Sequence, residues 1–115
     1  MAEDAIEDER RTGDPEVVDV DARHRYELRV DGETVGHVEY HQRAGGPTIS
    51  LMHTVVDDAH AGQGFAGRLA RATLDDARTR GLGVLPFCPY IRGWMGKHPE
   101  YVDLVPEDRR AEFEL

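Results

Sequence analysis

The 115-residue sequence has one cysteine, one lysine and few aromatic residues, which make up 7% of the chain. A single cysteine, Cys88, excludes a disulfide within the chain and a zinc site built from several cysteines. No apolar run approaches the roughly 20 residues that a membrane-spanning helix needs, and the first residues are acidic rather than basic and apolar. No stripe of lysine and arginine offers a surface to nucleic acid. We therefore expect a cytoplasmic protein that binds neither membrane nor nucleic acid.

The formal net charge of −9 is concentrated at the N-terminus. Residues 1–22 hold nine acidic residues and two arginines, whereas the remainder holds 14 acidic and 12 basic residues. An acidic segment without aromatic residues is typical of disorder. We therefore predict an acidic disordered tail over residues 1–22 and a single folded domain over residues 23–115, long enough for one modest core.

Hydrophobic periodicity predicts a sheet and one main helix. Strands are predicted over residues 25–30, 34–40, 48–56 and 83–87, with a further short strand over 101–105. Asp31-Gly32 predicts a hairpin turn with a loop of two or three residues. In the third strand, alternation places Ile49, Leu51, His53 and Val55 on one face. Apolar residues at helical spacing predict a helix that opens at Gly64 and ends before Gly81, and a shorter helix is predicted over 90–97.

The segment HAGQGFAG between the third strand and the main helix contains a GxGxxG pattern at Gly62, Gly64 and Gly67. A dinucleotide-binding turn would place its first glycine directly after the strand and an acidic residue at the end of the next strand. Here five residues separate Val56 from Gly62, and the next strand ends in Phe-Cys-Pro. The pattern therefore does not favour NAD. The helix N-terminus still offers unpaired N–H groups, so the segment is either a phosphate site or a glycine turn capped by water.

The wider segment VDDAHAGQGFAGRLARATLDDAR resembles motif A of the GNAT N-acetyltransferase superfamily, Q/R-x-x-G-x-G/A, whose loop holds the pyrophosphate of acetyl-CoA. Ala61 departs from this motif, because the family has Gln or Arg at that position. HTV at 53–55, PFCPY at 86–90 and KHPEY at 97–101 are similar to motifs of small, minimal-length GNAT-like acetyltransferases. The resemblance runs from about Tyr26 to Val105. It implies a single α/β (α+β) domain with few helices and a mostly antiparallel, mixed sheet that opens in a V-shaped splay.

The same resemblance implies an acetyl-CoA site between the strands over 48–56 and 83–87. Backbone groups of the first strand would pair with the pantetheine arm as an added strand does, and the glycine loop would hold the phosphates. The residues implied to bind acetyl-CoA are Thr54, Val55, Val56, Gly62, Gln63, Gly64, Phe65, Ala66, Arg68 and Tyr90.

Two residues, His53 and Cys88, are candidates for catalysis. His53 is interpreted either as a core histidine that donates to a carbonyl or, with the family's HT motif, as the general base for the amine. Cys88 is interpreted as an inert small residue, as a wall of the site, or as a transient carrier of the acetyl group, which requires an exposed thiol of depressed pKa. We favour the lining role.

Larger GNAT enzymes often use a late tyrosine to protonate the departing thiolate. The corresponding region here carries Trp94, which we expect to pack as core or wall, with Tyr90 and Tyr101 as candidate substitutes. His37 and His41 are expected on a solvated face rather than at a metal. His98 is expected at a helix end, where the dipole favours it, with contact to CoA as the secondary interpretation.

The predicted function is transfer of an acetyl group from acetyl-CoA, as cosubstrate, to an amine acceptor whose identity does not follow from the sequence. The alternative is an acyl-CoA-binding or regulatory module with little catalysis that acts through a protein partner. No metal is expected, and we expect a monomer or weak dimer.

Overall fold

The computed structural model describes residues 15–115, which form a five-stranded sheet with the strands in sequence order. The elements are β1 (Glu16–Val20), β2 (Arg25–Val30), β3 (Glu33–His41), β4 (Thr48–Val56), α1 (Phe65–Thr79), β5 (Gly83–Pro86) and α2 (Pro89–Lys97). Strands β1 to β4 pair antiparallel, and β5 pairs parallel to β4 across the helix α1. The predicted α/β (α+β) class is confirmed. Neither helix of this described part is long and apolar enough to cross a membrane.

Strand β1 corrects the predicted domain boundary, because it lies within residues that the charge pattern assigned to a tail. It pairs with β2 from Glu16 opposite Arg29 to Val20 opposite Arg25. Val17 packs against the core, and Asp19 accepts a hydrogen bond of 2.6 Å from the hydroxyl of the buried Tyr40. Acidic residues near the N-terminus therefore belong to the sheet, and only residues 1–14 of the predicted tail lie outside the described part of the chain.

The hairpin between β2 and β3 has the shorter of the two loops that the sequence allowed. Val30 pairs directly with Glu33, so Asp31 and Gly32 form a two-residue loop. Both have positive φ values, 54° and 81°, as a type I′ turn requires.

Helix α1 packs its apolar stripe on one face of the sheet. Its buried residues are Phe65, Leu69, Ala70, Thr73, Leu74 and Ala77, which repeat at helical spacing as predicted. Gly81 follows the helix with φ 71° and serves as the left-handed residue that ends it. Helix α2 begins at Pro89 and ends at Lys97, close to its predicted range.

The strand predicted over residues 101–105 is wrong: Pro99–Leu104 forms a 3-10 helix. Its buried residues, Tyr101 and Leu104, are three apart, which is one 3-10 turn rather than the two-residue period of a strand. Further 3-10 turns follow, and Phe113 near the C-terminus packs edge-on against Phe87 at a centroid distance of 5.2 Å.

A bulge in β4 overturns the predicted strand face. The register passes from Tyr40 opposite Leu51 to Glu39 opposite His53, so Met52 is an extra residue. A bulge reverses the alternation that follows it. Ile49 and Leu51 are therefore buried under the helices, whereas His53 and Val55 are exposed on the opposite, open face of the sheet.

Candidate functional site

Strands β4 and β5 pair over a short stretch and then separate. The last backbone hydrogen bond between the two sides in the described residues is donated by the Cys88 N–H to the Leu51 carbonyl at 2.8 Å. The Phe87 N–H donates to the Leu85 carbonyl at 3.0 Å, which closes a three-residue turn around Pro86 of the kind that commonly ends strands. The bulge at Met52 bends β4 at the same level. Together they produce the predicted V-shaped splay.

The edge of β4 beyond the splay presents backbone groups to the gap. The Asp57 N–H donates to the Val35 carbonyl at 2.8 Å, which makes Gly36 and Val56 a pair that is not directly hydrogen-bonded. The N–H and C=O groups of Val56 and of Thr54, two residues earlier, therefore point away from β3. The N–H and C=O groups of Val55 point toward β3 and pair with it. Only the side chain of Val55 is therefore available to a ligand in the gap.

An exposed apolar patch surrounds this gap. The large hydrophobic side chains that are exposed in the described part of the chain are Met52, Val55, Phe87 and Tyr90, at 36–45%. Met52 is the bulge residue of β4 and Val55 lies beyond it, whereas Phe87 and Tyr90 follow the end of β5. Apolar side chains clustered at an unpaired strand edge are typical of a binding site.

The glycine loop leads into an uncapped helix N-terminus. Gly62 and Gly64 have φ values of 81° and 77°, no atom stands within 4 Å of a Cβ added at either, and no side chain caps α1. The first intrahelical bond runs from the Arg68 N–H to the Gly64 carbonyl at 3.2 Å. The N–H groups before Arg68 in the first turn therefore lack intrahelical acceptors, and they make a favourable environment for an anion.

A pocket of about 400 Å³ opens beside this helix N-terminus and is lined by Gly64, Gly67, Arg68, Arg71, Trp94 and His98. The Trp94 and His98 rings are stacked with centroids 3.7 Å apart, and the Arg71 guanidinium lies 5.3 Å from the Trp94 centroid. Within residues 15–115, no ion pair engages Arg68. The pocket thus combines an aromatic wall, positive charge and backbone N–H donors.

Comparison with known proteins identifies the family. A family model described as GCN5-related N-acetyl-transferase matches residues 25–104. The chain belongs to the GCN5-related N-acetyltransferase family. The match spans β2 through the 3-10 helix after α2 and includes both sides of the splay. The resemblance drawn from the motifs is thereby confirmed.

This N-acetyltransferase family member also resembles individual proteins. Protein NATD1 of Homo sapiens is 33% identical over 88 residues, covering 76% of this chain and 78% of the human protein. Protein NATD1 of Xenopus tropicalis is 31% identical over 77 residues, covering 67% of this chain and 71% of the frog protein.

Two solved acetyltransferase structures are similar over parts of their length. A ribosomal-protein-alanine N-acetyltransferase from Brucella melitensis biovar Abortus 2308 is 27% identical with a TM-score of 0.47, covering 56% of this chain and 49% of that one. N-acetylglutamate synthase from Neisseria gonorrhoeae, complexed with coenzyme A and N-acetyl-glutamate, is 19% identical with a TM-score of 0.49. That alignment covers 79% of this chain and 22% of the synthase.

The sheet separates the two predicted catalytic residues of this family member. Cys88 is 3% exposed and its Sγ lies 3.3 Å from the Thr54 Oγ1, on the helix side of β4. His53 precedes Thr54 in the strand and its side chain is exposed on the open face, opposite Glu39 of β3. The interpretation of His53 as a core histidine is therefore wrong, because the bulge turns it outward.

The two tyrosines proposed as acids differ in their surroundings. The Tyr90 hydroxyl lies beside Gly67 in the first turn of α1, and burial, with a further effect of Cys88, raises its phenol pKa. Tyr101 is buried, and its hydroxyl donates to Asp75 at 2.7 Å and accepts from Arg71. Tyr90 thus remains at the mouth of the gap, whereas the Tyr101 hydroxyl is held by α1.

The histidines outside the splay are also accounted for. The His37 ring lies 3.3 Å from a Glu39 oxygen, and His41 is exposed, as expected for a solvated face. No group of three or more potential ligands within the described residues could hold a metal. The His98 Nδ1 donates to the Trp94 carbonyl at 2.8 Å, since a carbonyl only accepts.

Sequence reasoning missed two features of the site. Arg71 is not assigned to the site from the sequence, although it follows Gly67 of the first turn of α1 by four residues and so lies one helical turn further along the same face. His60, just before the glycine loop, has a buried Nδ1 with no hydrogen-bond partner among the described residues. A buried polar atom of this kind normally has a hydrogen-bond partner. In the sequence, only the position of His60 beside the glycine loop could have indicated a role for this residue.

Proposed function

We propose that this protein transfers an acetyl group from acetyl-CoA to an amine. The observation that carries the proposal is the continuity of the apolar splay between β4 and β5 with an uncapped, glycine-flanked helix N-terminus. An elongated ligand with an amide-bearing arm and phosphates matches these two parts. Membership of the N-acetyltransferase family supports the same conclusion.

The residues present fit acetyl-CoA. Thr54 and Val56 would hydrogen-bond the pantetheine amides through their backbone groups, as an added strand does. The N–H groups of Phe65, Ala66 and Gly67 would hold the pyrophosphate, and Gly62 and Gly64 leave the approach free of side chains. Arg68 would supply a charge-assisted hydrogen bond. The methyl side chain of Ala61 cannot hydrogen-bond a phosphate, so binding of the phosphates depends on the backbone and on Arg68.

His53 is proposed as the general base. The acceptor would approach over the open face, and His53 would take the proton of its ammonium so that the free nitrogen can attack the thioester carbonyl. A C–N bond then forms and the C–S bond breaks; the nitrogen releases a second proton to solvent to give the amide, and the thiolate of CoA takes up a proton. Tyr90 is proposed to give that proton, because a phenol is protonated at neutral pH.

Cys88 is proposed as a wall of the site. A carrier of the acetyl group must be accessible and present as the thiolate, whereas Cys88 is almost fully buried beside Thr54. Direct attack by the amine requires no second thioester.

Ligand-dependent stabilisation tests the binding half of this proposal. Acetyl-CoA or CoA should raise the melting temperature of the protein, because a ligand bound only by the folded state stabilises it by mass action. NAD and ATP should do so far less. An equal shift with NAD would contradict the assignment.

Gly64→Asp tests the loop, with Gly45→Asp as a matched control. Both glycines have positive φ values and open space around an added Cβ, but Gly45 lies in the turn before β4. Gly64→Asp puts a carboxylate where the phosphates would bind, and CoA affinity should fall about 100-fold or more, given 1.5–3 kcal/mol per charged hydrogen bond. Gly45→Asp should bind CoA normally. Equal affinities of the two variants would place the phosphates elsewhere.

Turnover distinguishes transfer from binding alone. The protein should release free CoA thiol from acetyl-CoA when a mixed pool of primary amines is added, and the acetylated amine should appear by mass spectrometry. Binding of acetyl-CoA without thiol release across the pool would instead favour an acyl-CoA-binding module.

A further inference from the structure

The open face of the sheet carries an organised row of polar side chains beside the splay. Cross-strand neighbours share a face, and the register places His53 of β4 opposite Glu39 of β3, with Arg25 of β2 next in line. The adjacent row contains Val55 and His37. Moving away from the gap, a ligand on this face meets His53 first and Glu39 one strand later.

Charge pairing leaves Glu39 available to a cation. Arg25 faces Glu39 in the register but its guanidinium binds Glu27 at 2.7 Å, and Arg29 binds the same carboxylate at 2.9 Å. Glu27 is thereby buried and neutralised. The Glu39 side chain is 49% exposed, and among residues 15–115 its carboxylate contacts the His37 ring at 3.3 Å. An exposed carboxylate without an arginine or lysine partner next to the proposed base attracts positive charge.

The distance between Glu39 and His53 defines the class of cation that could bind both. Strands lie about 4.8 Å apart, so a group held by Glu39 is roughly 5–6 Å from an amine held at His53. Two amines joined by three or four methylenes have about this separation. The exposed Met52 and Val55 flank the row and would contact the methylenes.

We infer that the acceptor is a short alkyl diamine, or a longer polyamine that presents such a unit, with Glu39 binding the ammonium that does not react. The inference rests on the proposed transfer reaction. Glu39 is a specificity residue in it, since it contacts the distal charge of the acceptor rather than the reacting atoms.

The test compares three acceptors with the same four-carbon chain: butylamine, its terminal diamine and its terminal amino acid. With the full chain and saturating acetyl-CoA, kcat/KM should be about 10-fold higher for the diamine than for butylamine, as one partly exposed charge-assisted contact provides. The amino acid should be poorest, because its carboxylate meets Glu39. CoA release and product mass are measured together.

Variants of Glu39 provide the decisive readout. Glu39→Gln should raise the KM for the diamine about 10-fold and remove its advantage over butylamine, and Glu39→Lys should invert the order in favour of the amino acid. Glu33→Gln, at the far end of the same strand and exposed, should keep the wild-type order. This control separates charge at Glu39 from a general loss of charge on β3.

The outcomes separate this inference from the transfer reaction itself. Acetylation of all three amines at similar kcat/KM, or a diamine preference that survives Glu39→Gln, overturns the inference and leaves the transferase intact. A wild-type preference for the amino acid also overturns it and points to the pocket lined by His41 and Arg43 on the same face. No acetylation of any amine by protein that binds acetyl-CoA overturns the transferase and the inference together.

Discussion

The two halves of strand β4 differ in almost every physical respect. Residues from Thr48 to Leu51 all pair with β5, Ser50 and Leu51 also pair with β3, and Ile49 and Leu51 are completely buried. Beyond the unpaired Met52, residues from His53 to Val56 pair only with β3 in the described sheet, and Met52, His53 and Val55 are exposed. One continuous strand therefore provides core stability in its first half and a ligand-accessible edge in its second, and the bulge at Met52 separates the two.

The largest expected effect concerns His53 in the second half. If His53 is the general base, His53→Ala should lower kcat for amine acetylation roughly 10²–10⁴-fold, with little change in the melting temperature because the side chain is exposed. His41→Ala is the matched control, since His41 is an exposed histidine on the same face. A kcat for His53→Ala within a few-fold of the wild type would show that the second half serves binding without proton transfer.

A pair of truncations measures the contrast between the halves directly. Leu51→Ala removes a fully buried side chain and should cost about 2–5 kcal/mol of unfolding free energy. Val55→Ala removes an exposed side chain and should change stability by no more than about 0.5 kcal/mol, while CoA affinity falls about 3- to 10-fold through lost apolar contact. Chemical denaturation and calorimetric binding give the two quantities. Equal stability losses would contradict the division of β4 at Met52.

A substitution of Glu27 tests how the open face is stabilised next to the second half of β4, because Glu27 of β2 lies opposite His37 of β3. Hydrogen bonding from Arg29 and Arg25, together with the charge of Arg25, lowers the Glu27 pKa from 4.5 to about 2. Such a depressed pKa stabilises the fold above the unfolded value, and this contribution is lost as the pH falls from about 4.5 toward 2. Glu27→Gln should therefore cost roughly 2–3 kcal/mol at pH 7. Denaturation at several pH values should show the variant and wild type converging near pH 2; a constant difference would contradict this origin.

The smallest expected effect concerns Cys88, which lies where the halves meet. Cys88→Ala should cost about 1 kcal/mol of stability and keep CoA binding and most of the activity. Wild-type protein mixed with acetyl-CoA and no amine should gain no acetyl mass. An acetyl adduct on Cys88 that forms and is consumed as fast as turnover would contradict the lining role.

Local patterns in the sequence were sufficient for most elements of the fold. The turn at Asp31-Gly32, strand β4, helix α1 with its uncapped glycine entry, and the left-handed Gly81 were all predicted, because each depends on neighbours within a few residues. The order of several motifs also identified the family before any contact was known. The apolar run of β1 was missed since the acidic residues around it dominated the composition.

The sequence by itself therefore determined where strands, turns and helices form and which residues are candidates for chemistry. These features depend on propensity, periodicity and glycine φ preferences, all of which are local. Only the tertiary structure decided on which face of the sheet each of these side chains lies. The Met52 bulge depends on register against β3, and it turns His53 outward to Glu39 while Thr54 turns inward to Cys88. Register is a property of paired strands, and alternation within one strand cannot reveal an extra residue opposite its partner.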